Sequence, residues 1–149
     1  MAIKLKGIGF MLKIADTKEA LNHCFEIRKQ VFVDEQGVPP SLEIDQYEDE
    51  ATHVLLTENG CPIATGRFRE YKDGIKIERV AVIKSHRKLG LGKKVLDYIE
   101  YQAKSNNKTK FYLNAQTQAI PFYESLGYYK YGDVFKDAGI SHYAMVKEA

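Results

Sequence analysis

The sequence predicts a single mixed α/β domain over 1–149: a mostly antiparallel sheet flanked by helices in three layers, parallel only at its centre. Three observations carry this. His53–Glu58 and Cys61–Glu70 are apolar-rich runs joined by Asn59-Gly60, the pair that tight hairpin turns favour. Ile75–Val82 alternates with β-branched residues and leads through a glycine-containing turn into a helical pattern. Phe111-Tyr112-Leu113 follows that helix as a short strand, and a right-handed crossover makes it parallel to Ile75–Val82.

A chain of 149 residues is long enough to bury one real core. The net charge of +2 and the lack of any basic run argue against a nucleic-acid partner. Cys24 and Cys61 have neither zinc-site nor C-x-x-C spacing, so no metal and a reduced, cytoplasmic compartment are expected. The start, MAIKLKGIGFML, lacks a long apolar run and a cleavage signature, so neither a signal peptide nor a membrane partner is expected. Assembly as a homodimer is left open.

In chain order, Gly9–Ala15 reads as a first strand. Asp16 is the expected N-cap of the next helix, with Glu19 at the third helical position as in a capping box. Ala20, Leu21, Cys24, Phe25, Ile27, Val31 and Phe32 make one apolar stripe, and Arg28 falls in its middle. Either its stem packs while its head reaches the edge, or its guanidinium lines a pocket opposite an anion or carboxylate. Asp34–Pro40 breaks the helix. Glu43, Asp45, Glu48, Asp49 and Glu50 then form a solvated acidic loop or a negative mouth that attracts an amine. Pro62 marks an edge or bulge in the hairpin. Lys72-Asp73-Gly74 turns the chain into Ile75–Val82, where Ile75, Ile77 and Ala81 share one parity and Glu78, Val80 and Val82 the other. Gln118–Leu126 reads as a short helix ending at Gly127. Tyr128–Lys130 and His142–Lys147 read as closing strands around a loop over Asp133–Gly139.

The stretch Ile75–Leu96 carries the first chemical signal. A strand that turns through glycines into a helix leaves backbone N–H groups free at the helix start, where anions bind. Arg87, Lys88 and Lys93 add positive charge there. The Walker pattern is absent. The dinucleotide fingerprint fails too, because Val95 stands where its third glycine would be. From these residues alone, a phosphate site and a plain strand–helix joint both stand.

The remaining pattern, Arg87-x-x-Gly90-x-Gly92 after a strand, resembles motif A of the GNAT acetyltransferases. The run Asn114, four residues, Ala119, two residues, Phe122-Tyr123-Glu124, one residue, Leu126-Gly127-Tyr128 resembles motif B of the same family. Arg28-x-x-Val31-Phe32-Val33-x-Glu35-Gln36, Glu43-Ile44-Asp45, Thr65-Gly66-Arg67 and Phe135-x-x-Ala138-Gly139-Ile140-x-His142 resemble its YjcF/ElaA-like bacterial branch.

The resemblance implies acetyl-CoA as cosubstrate, seated between two central strands that splay apart. It implies that the backbone of Val80, Ala81 and Val82 pairs with the pantetheine arm. Arg87, Lys88, Leu89, Gly90, Leu91, Gly92 and Lys93 would hold the pyrophosphate. Asn114 would touch the pantetheine or fix the splay, and Tyr123 would lie near the sulfur.

Acetyl transfer to an amine needs a neutral nitrogen and a proton for the departing thiolate. An alkyl ammonium has a pKa of about 10, so a base must take its proton. Tyr123 is the candidate acid. Glu78 and His142 are candidate bases, ahead of His53. Glu78 would face the cleft with Val80 and Val82 unless a bulge intervenes. Arg28, Gln36, Asp45 and Arg67 are the candidate acceptor-side residues, suited to a small polar acceptor. Neither cysteine lies near the motifs, so direct attack in a ternary complex is expected. A non-catalytic CoA-binding regulatory module and transfer of a longer acyl group remain as alternatives.

Overall fold

Period-2 patterning builds the sheet, and the length of each run sets the strand. The computed structural model describes residues 2–5 and 9–149. Its strands are β1 (Ile3–Lys4), β2 (Phe10–Ile14), β3 (Thr52–Glu58), β4 (Cys61–Tyr71), β5 (Gly74–Val82), β6 (Lys110–Gln116), β7 (Tyr129–Asp137) and β8 (Ile140–Glu148). They form one sheet in the order β1-β2-β3-β4-β5-β6-β8-β7. Among the described strands only the central pair β5–β6 is parallel. The helices are α1 (Lys18–Arg28), which runs on into a π-helical stretch over Lys29–Glu35, then α2 (Pro40–Glu43), α3 (Leu91–Ser105) and α4 (Ile120–Ser125).

Alternation along β3 assigns the layers. Val54 and Leu56 join the larger core with Val95, Leu96 and Ile99 of α3. Leu55, between them, joins the smaller core with Ala20, Cys24 and Ile27 of α1. Successive strand residues face opposite ways, so α1 and α3 cover opposite faces. Each fully buried aliphatic side chain stabilises by roughly 1.5–3 kcal/mol, so the larger α3-side core dominates.

Several boundaries differ from the sequence reading. Thr17, not Asp16, caps α1: its Oγ1 accepts from the Ala20 N–H at 3.1 Å. β1 was not expected, because two residues show no periodicity. β6 extends through Asn114 to Gln116, whose polar side chains hid it. The loop expected over Asp133–Gly139 shrinks to a turn at Ala138 and Gly139, both with positive φ. β7 is exposed almost throughout, so it shows no burial pattern.

One irregularity shapes the centre. Thr65 pairs with Ala81 and Arg67 with Glu78, so two steps on β4 match three on β5. The extra residue is a β-bulge, and Arg79 takes a left-handed φ of 57° there. The parity expected for this strand therefore fails. Ile75 and Ile77 before the bulge, and Val80 and Val82 after it, all pack with the α3-side core. Ala81 packs with α1. Glu78 therefore lies on the opposite face from the side chains of Val80 and Val82. Pairing between β5 and β6 stops at Ile77–Leu113, although β5 runs to Val82 and β6 to Gln116. The strands splay beyond that point.

Gly74 sits at the closed end of this V. A Cβ there would run into the Lys110 carbonyl oxygen and the Lys110 side chain. Gly74→Ala is expected to destabilise the fold by about 2 kcal/mol or more, because backbone cannot yield as a side-chain tip can. Chemical denaturation measures this as a lower midpoint, and an unchanged midpoint would show that the junction has slack.

Candidate active site

The splay encloses a cavity of about 590 Å³. Val80, Ala81 and Val82 line one wall, and Asn114 and Gln116 the other. β4 pairs with β5 at Ala81 and Val82 from the far side, which leaves the β6-facing edge of β5 without a strand partner. The Val82 carbonyl accepts from Arg87 Nε at 2.9 Å. An open strand edge accepts an extended, amide-bearing ligand as an added strand.

The turn beyond β5 completes a polar end. Lys88 and Gly90 both have left-handed φ, 68° and 77°. Gly90 adopts this without the Cβ penalty and serves as the N-cap of α3. That cap makes no side-chain hydrogen bond, so the first N–H groups of a 15-residue helix stay open at its positive end. Arg87 and Gly92 line the cavity. Lys88, Leu89, Gly90 and Lys93 are exposed and do not line it, whereas the Leu91 side chain is buried in the core. Leu91 can offer only its backbone. Lys93 pairs with Asp97 at 2.8 Å, and Arg87 forks onto Glu35 at 2.6 Å through both Nη atoms.

The three acid–base candidates all line the cavity. Tyr123 is half-buried and sits edge-on to Phe122 and Tyr128. Burial pushes its hydroxyl up to about 12. His142 Nδ1 lies 2.7 Å from the Ile140 carbonyl. A carbonyl only accepts, so Nδ1 carries the proton and a neutral ring keeps its Nε2 lone pair. Phe135 stacks on this ring at 5.8 Å. Glu78 is already engaged: its Oε1 accepts from Arg69 Nε at 2.9 Å and lies 3.1 Å from Arg67 Nη2.

Of the acceptor-side candidates, Gln36 lines the cavity and accepts from Gln116 Nε2 across it at 2.8 Å. Arg28, Asp45 and Arg67 stand behind the wall in an ion network. Arg28 is fully buried. Its Nε donates to Glu43 at 2.9 Å and its Nη2 to Glu48 at 2.6 Å. Arg67, also fully buried, forks onto Asp45 at 2.8 and 2.6 Å and reaches Glu48 at 2.8 Å. Arg79, from the bulge, donates to Glu43 at 2.9 Å and to the Glu43 carbonyl. The acidic segment is thus divided: Asp49 and Glu50 are exposed to solvent, whereas the other three carboxylates neither form a solvated loop nor open as a negative mouth. Glu43, Asp45 and Glu48 are consumed by arginines from α1, β4 and β5. Sequence reasoning missed Glu43, Glu48, Arg69 and Arg79 as members. The excess of carboxylates after α2, facing strand arginines, was the available signal. His53 lies behind the network, its Nε2–H donating to the Glu48 carbonyl at 3.0 Å, and burial lowers its pKa.

A family model described as "Acetyltransferase (GNAT) domain" matches residues 14–149. The chain is 43% identical over 137 residues to YjcF of Bacillus subtilis, described as an uncharacterized N-acetyltransferase, covering 91% of this chain and 97% of that one. Among solved structures, ElaA of Escherichia coli superposes with a TM-score of 0.81 at 24% identity, covering 95% of this chain and 100% of ElaA. A GNAT acetyltransferase from Elizabethkingia anophelis with acetyl-CoA bound superposes with a TM-score of 0.72 at 16% identity, covering 95% and 99%.

The ion network predicts an acid response. Burial works to raise the carboxyls of Asp45 and Glu48. Hydrogen bonds from Arg67 to Asp45 and from Arg28 to Glu48 outweigh it and hold both at about 2. Their unfolded values are about 4, so the stability they add is complete above about pH 4 and is lost as pH falls through about 2. Glu48→Gln is expected to lower the melting temperature at neutral pH and to flatten its fall in that acid window. Parallel pH–melting curves for the two proteins would exclude Glu48 from this role.

Proposed function

The chain belongs to the GNAT acetyltransferase family, and on that footing we propose that it transfers an acetyl group from acetyl-CoA to the amine of a small acceptor, by direct attack in a ternary complex. One observation supports this above the others: the unpartnered β5 edge at Val80–Val82 is followed, through the turn over residues 83–90, by the open N-terminus of α3. The edge suits the amides of a pantetheine arm. The turn from Arg87 to Lys93 suits its pyrophosphate. Asn114 borders the same gap from β6.

The acceptor nitrogen must lose a proton before it attacks. His142 Nε2 takes that proton, with the ring orientation fixed by its Nδ1–H bond and by Phe135. The nitrogen bonds to the acetyl carbon and the carbon–sulfur bond breaks; the Tyr123 hydroxyl gives its proton to the departing sulfur and is restored by the second proton, which the new amide nitrogen sheds. With its pKa held up by burial, Tyr123 stays protonated across the working range. Glu78, engaged by two guanidinium groups, serves to position rather than to take the proton. Gln36 meets the acceptor directly. Arg28, Asp45 and Arg67 act on it through the wall they hold in place. Neither Cys24 nor Cys61 lines the cavity, which fits attack without an acyl-enzyme.

Calorimetry with CoA and a thiol-release assay over an amine panel test the proposal. CoA binding with turnover of at least one amine is expected. CoA binding with no turnover on any amine would favour a non-catalytic CoA-binding module. Tyr123→Phe is expected to lower kcat about a hundredfold with CoA affinity retained. His142→Ala is expected to lower kcat about a hundredfold with CoA affinity retained, a loss that Glu78→Gln does not reproduce. The reverse pattern would move the base to Glu78.

A further inference from the structure

The α1-side face of the sheet is only partly covered. α1 packs over Leu55 of β3 and Ala81 of β5. Cross-strand pairing puts Arg69, Lys76, Tyr112, Val146 and Tyr129 in one row on that face. Tyr71 and Tyr131 lie two residues from members of this row, and so do Glu78 and Asn114. Gln116 and its partner His142 share the face as well. The proposed base and this row therefore look out on the same side.

Three tyrosines cluster beyond α1: Tyr131 is exposed, Tyr71 half-buried and Tyr112 buried. Tyr71 and Tyr112 rings meet edge-on at 5.2 Å, and Tyr112 meets Tyr131 at 6.4 Å. Lysines sit on them. Lys76 Nζ lies 4.8 Å from the Tyr71 ring, and Lys72 Nζ lies 5.3, 5.5 and 5.9 Å from Tyr71, Tyr112 and Tyr131. A left-handed φ of 48° in the turn aims Lys72 this way. Neighbouring charges are neutralised: Lys110 pairs with Asp73 and Glu148, Lys108 with Glu70, and Arg69 with Glu78. Among the described residues, Lys72 and Lys76 have no carboxylate at ion-pair distance. Lys76 also lines the cavity.

Resting on the acetyltransferase reading, we propose that Lys76 and Lys72, on the Tyr71–Tyr112–Tyr131 platform, form the anion subsite of the acceptor, which is an elongated amine carrying a phosphate or carboxylate at its far end. The tyrosine faces are already taken by ammonium groups, so the platform presents N–H donors rather than bare rings, and the complementary ligand is an anion. The spacing sets the length. Lys76 pairs with Tyr112, and His142 pairs with Gln116, four residues further along β6. That is about 13 Å of strand, which the Lys76 side chain partly spans. An acceptor with amine and anion on adjacent carbons is too short.

Matched amines test this. Aminohexyl phosphate is compared with aminohexanol, and aminohexanoate with its amide, by calorimetry on protein saturated with CoA. This readout needs no turnover. The anionic member of at least one pair is expected to bind about tenfold more tightly to the wild-type protein, and the pair that shows it distinguishes phosphate from carboxylate. In Lys76→Gln and in the Lys72→Gln, Lys76→Gln double variant that preference is expected to fall to about twofold or less, with the dissociation constant for CoA unchanged. Equal binding within both pairs, no binding by any of the four probes, or a preference that survives both variants overturns the proposal. Tight CoA binding in the same samples keeps that failure separate from failure of the acetyltransferase reading.

Discussion

The bulge at Arg79 is the constraint on which the rest of the site depends. One extra residue on β5 ends the β5–β6 ladder, bends the strand and opens the V. It also reverses the facing of everything after it. Val80 and Val82 turn into the α3-side core, while Glu78 stays on the α1 side. The open edge at Val80–Val82 and the polar face around Glu78 and His142 thus become two sides of one gap. A cofactor held at the α3 N-terminus and an acceptor resting on the α1 side would approach that gap from opposite faces of the sheet.

A left-handed non-glycine residue costs energy unless its surroundings hold it. Arg79 is held by what its side chain reaches: Glu43 and the Leu42 and Glu43 carbonyls of α2. Gly66 lies across from the bulge, and a Cβ there would come within 2.9 Å of Val95. The ion network then ties α1, α2, β4 and β5 together through Arg28, Arg67, Arg69 and Arg79 against Glu43, Asp45, Glu48 and Glu78. Four cations and four anions balance. Removing one partner would leave a buried charge without compensation, which usually costs about 3–5 kcal/mol. The network's value lies in fixing geometry: it sets the height of α2 and Glu43 over the cavity.

Opposite the network, the π-helical stretch carries Glu35 and Gln36 to the cavity mouth. Glu35 engages Arg87, whose Nε donates back to the Val82 carbonyl at the end of β5, and Gln36 engages Gln116 at the end of β6. The segment after α1 therefore touches both arms of the V. An α-helical continuation would rotate these side chains to other positions, so the wider turn is part of how the mouth is built.

The sequence by itself determined the hairpin at Asn59-Gly60, the β5–turn–α3 unit, the parallel β5–β6 pair and the two motifs that place the chain in its family. These signals are local: each needs only the period of a strand or helix and a glycine at the right step. It also marked Arg28 as an anomaly on an apolar stripe, without saying what it faced. Tertiary structure decided the rest. The bulge depends on the register between β4 and β5, and no single strand records its own register. The fate of Arg28, Asp45 and Arg67 depended on oppositely charged partners 15 to 22 residues away in sequence that fold back onto them. The proton on His142 is fixed locally, by the Ile140 carbonyl two residues back, but the tyrosine–lysine platform needs β4, β5, β6, β8 and β7 lying side by side, contacts that exist only once the sheet has formed.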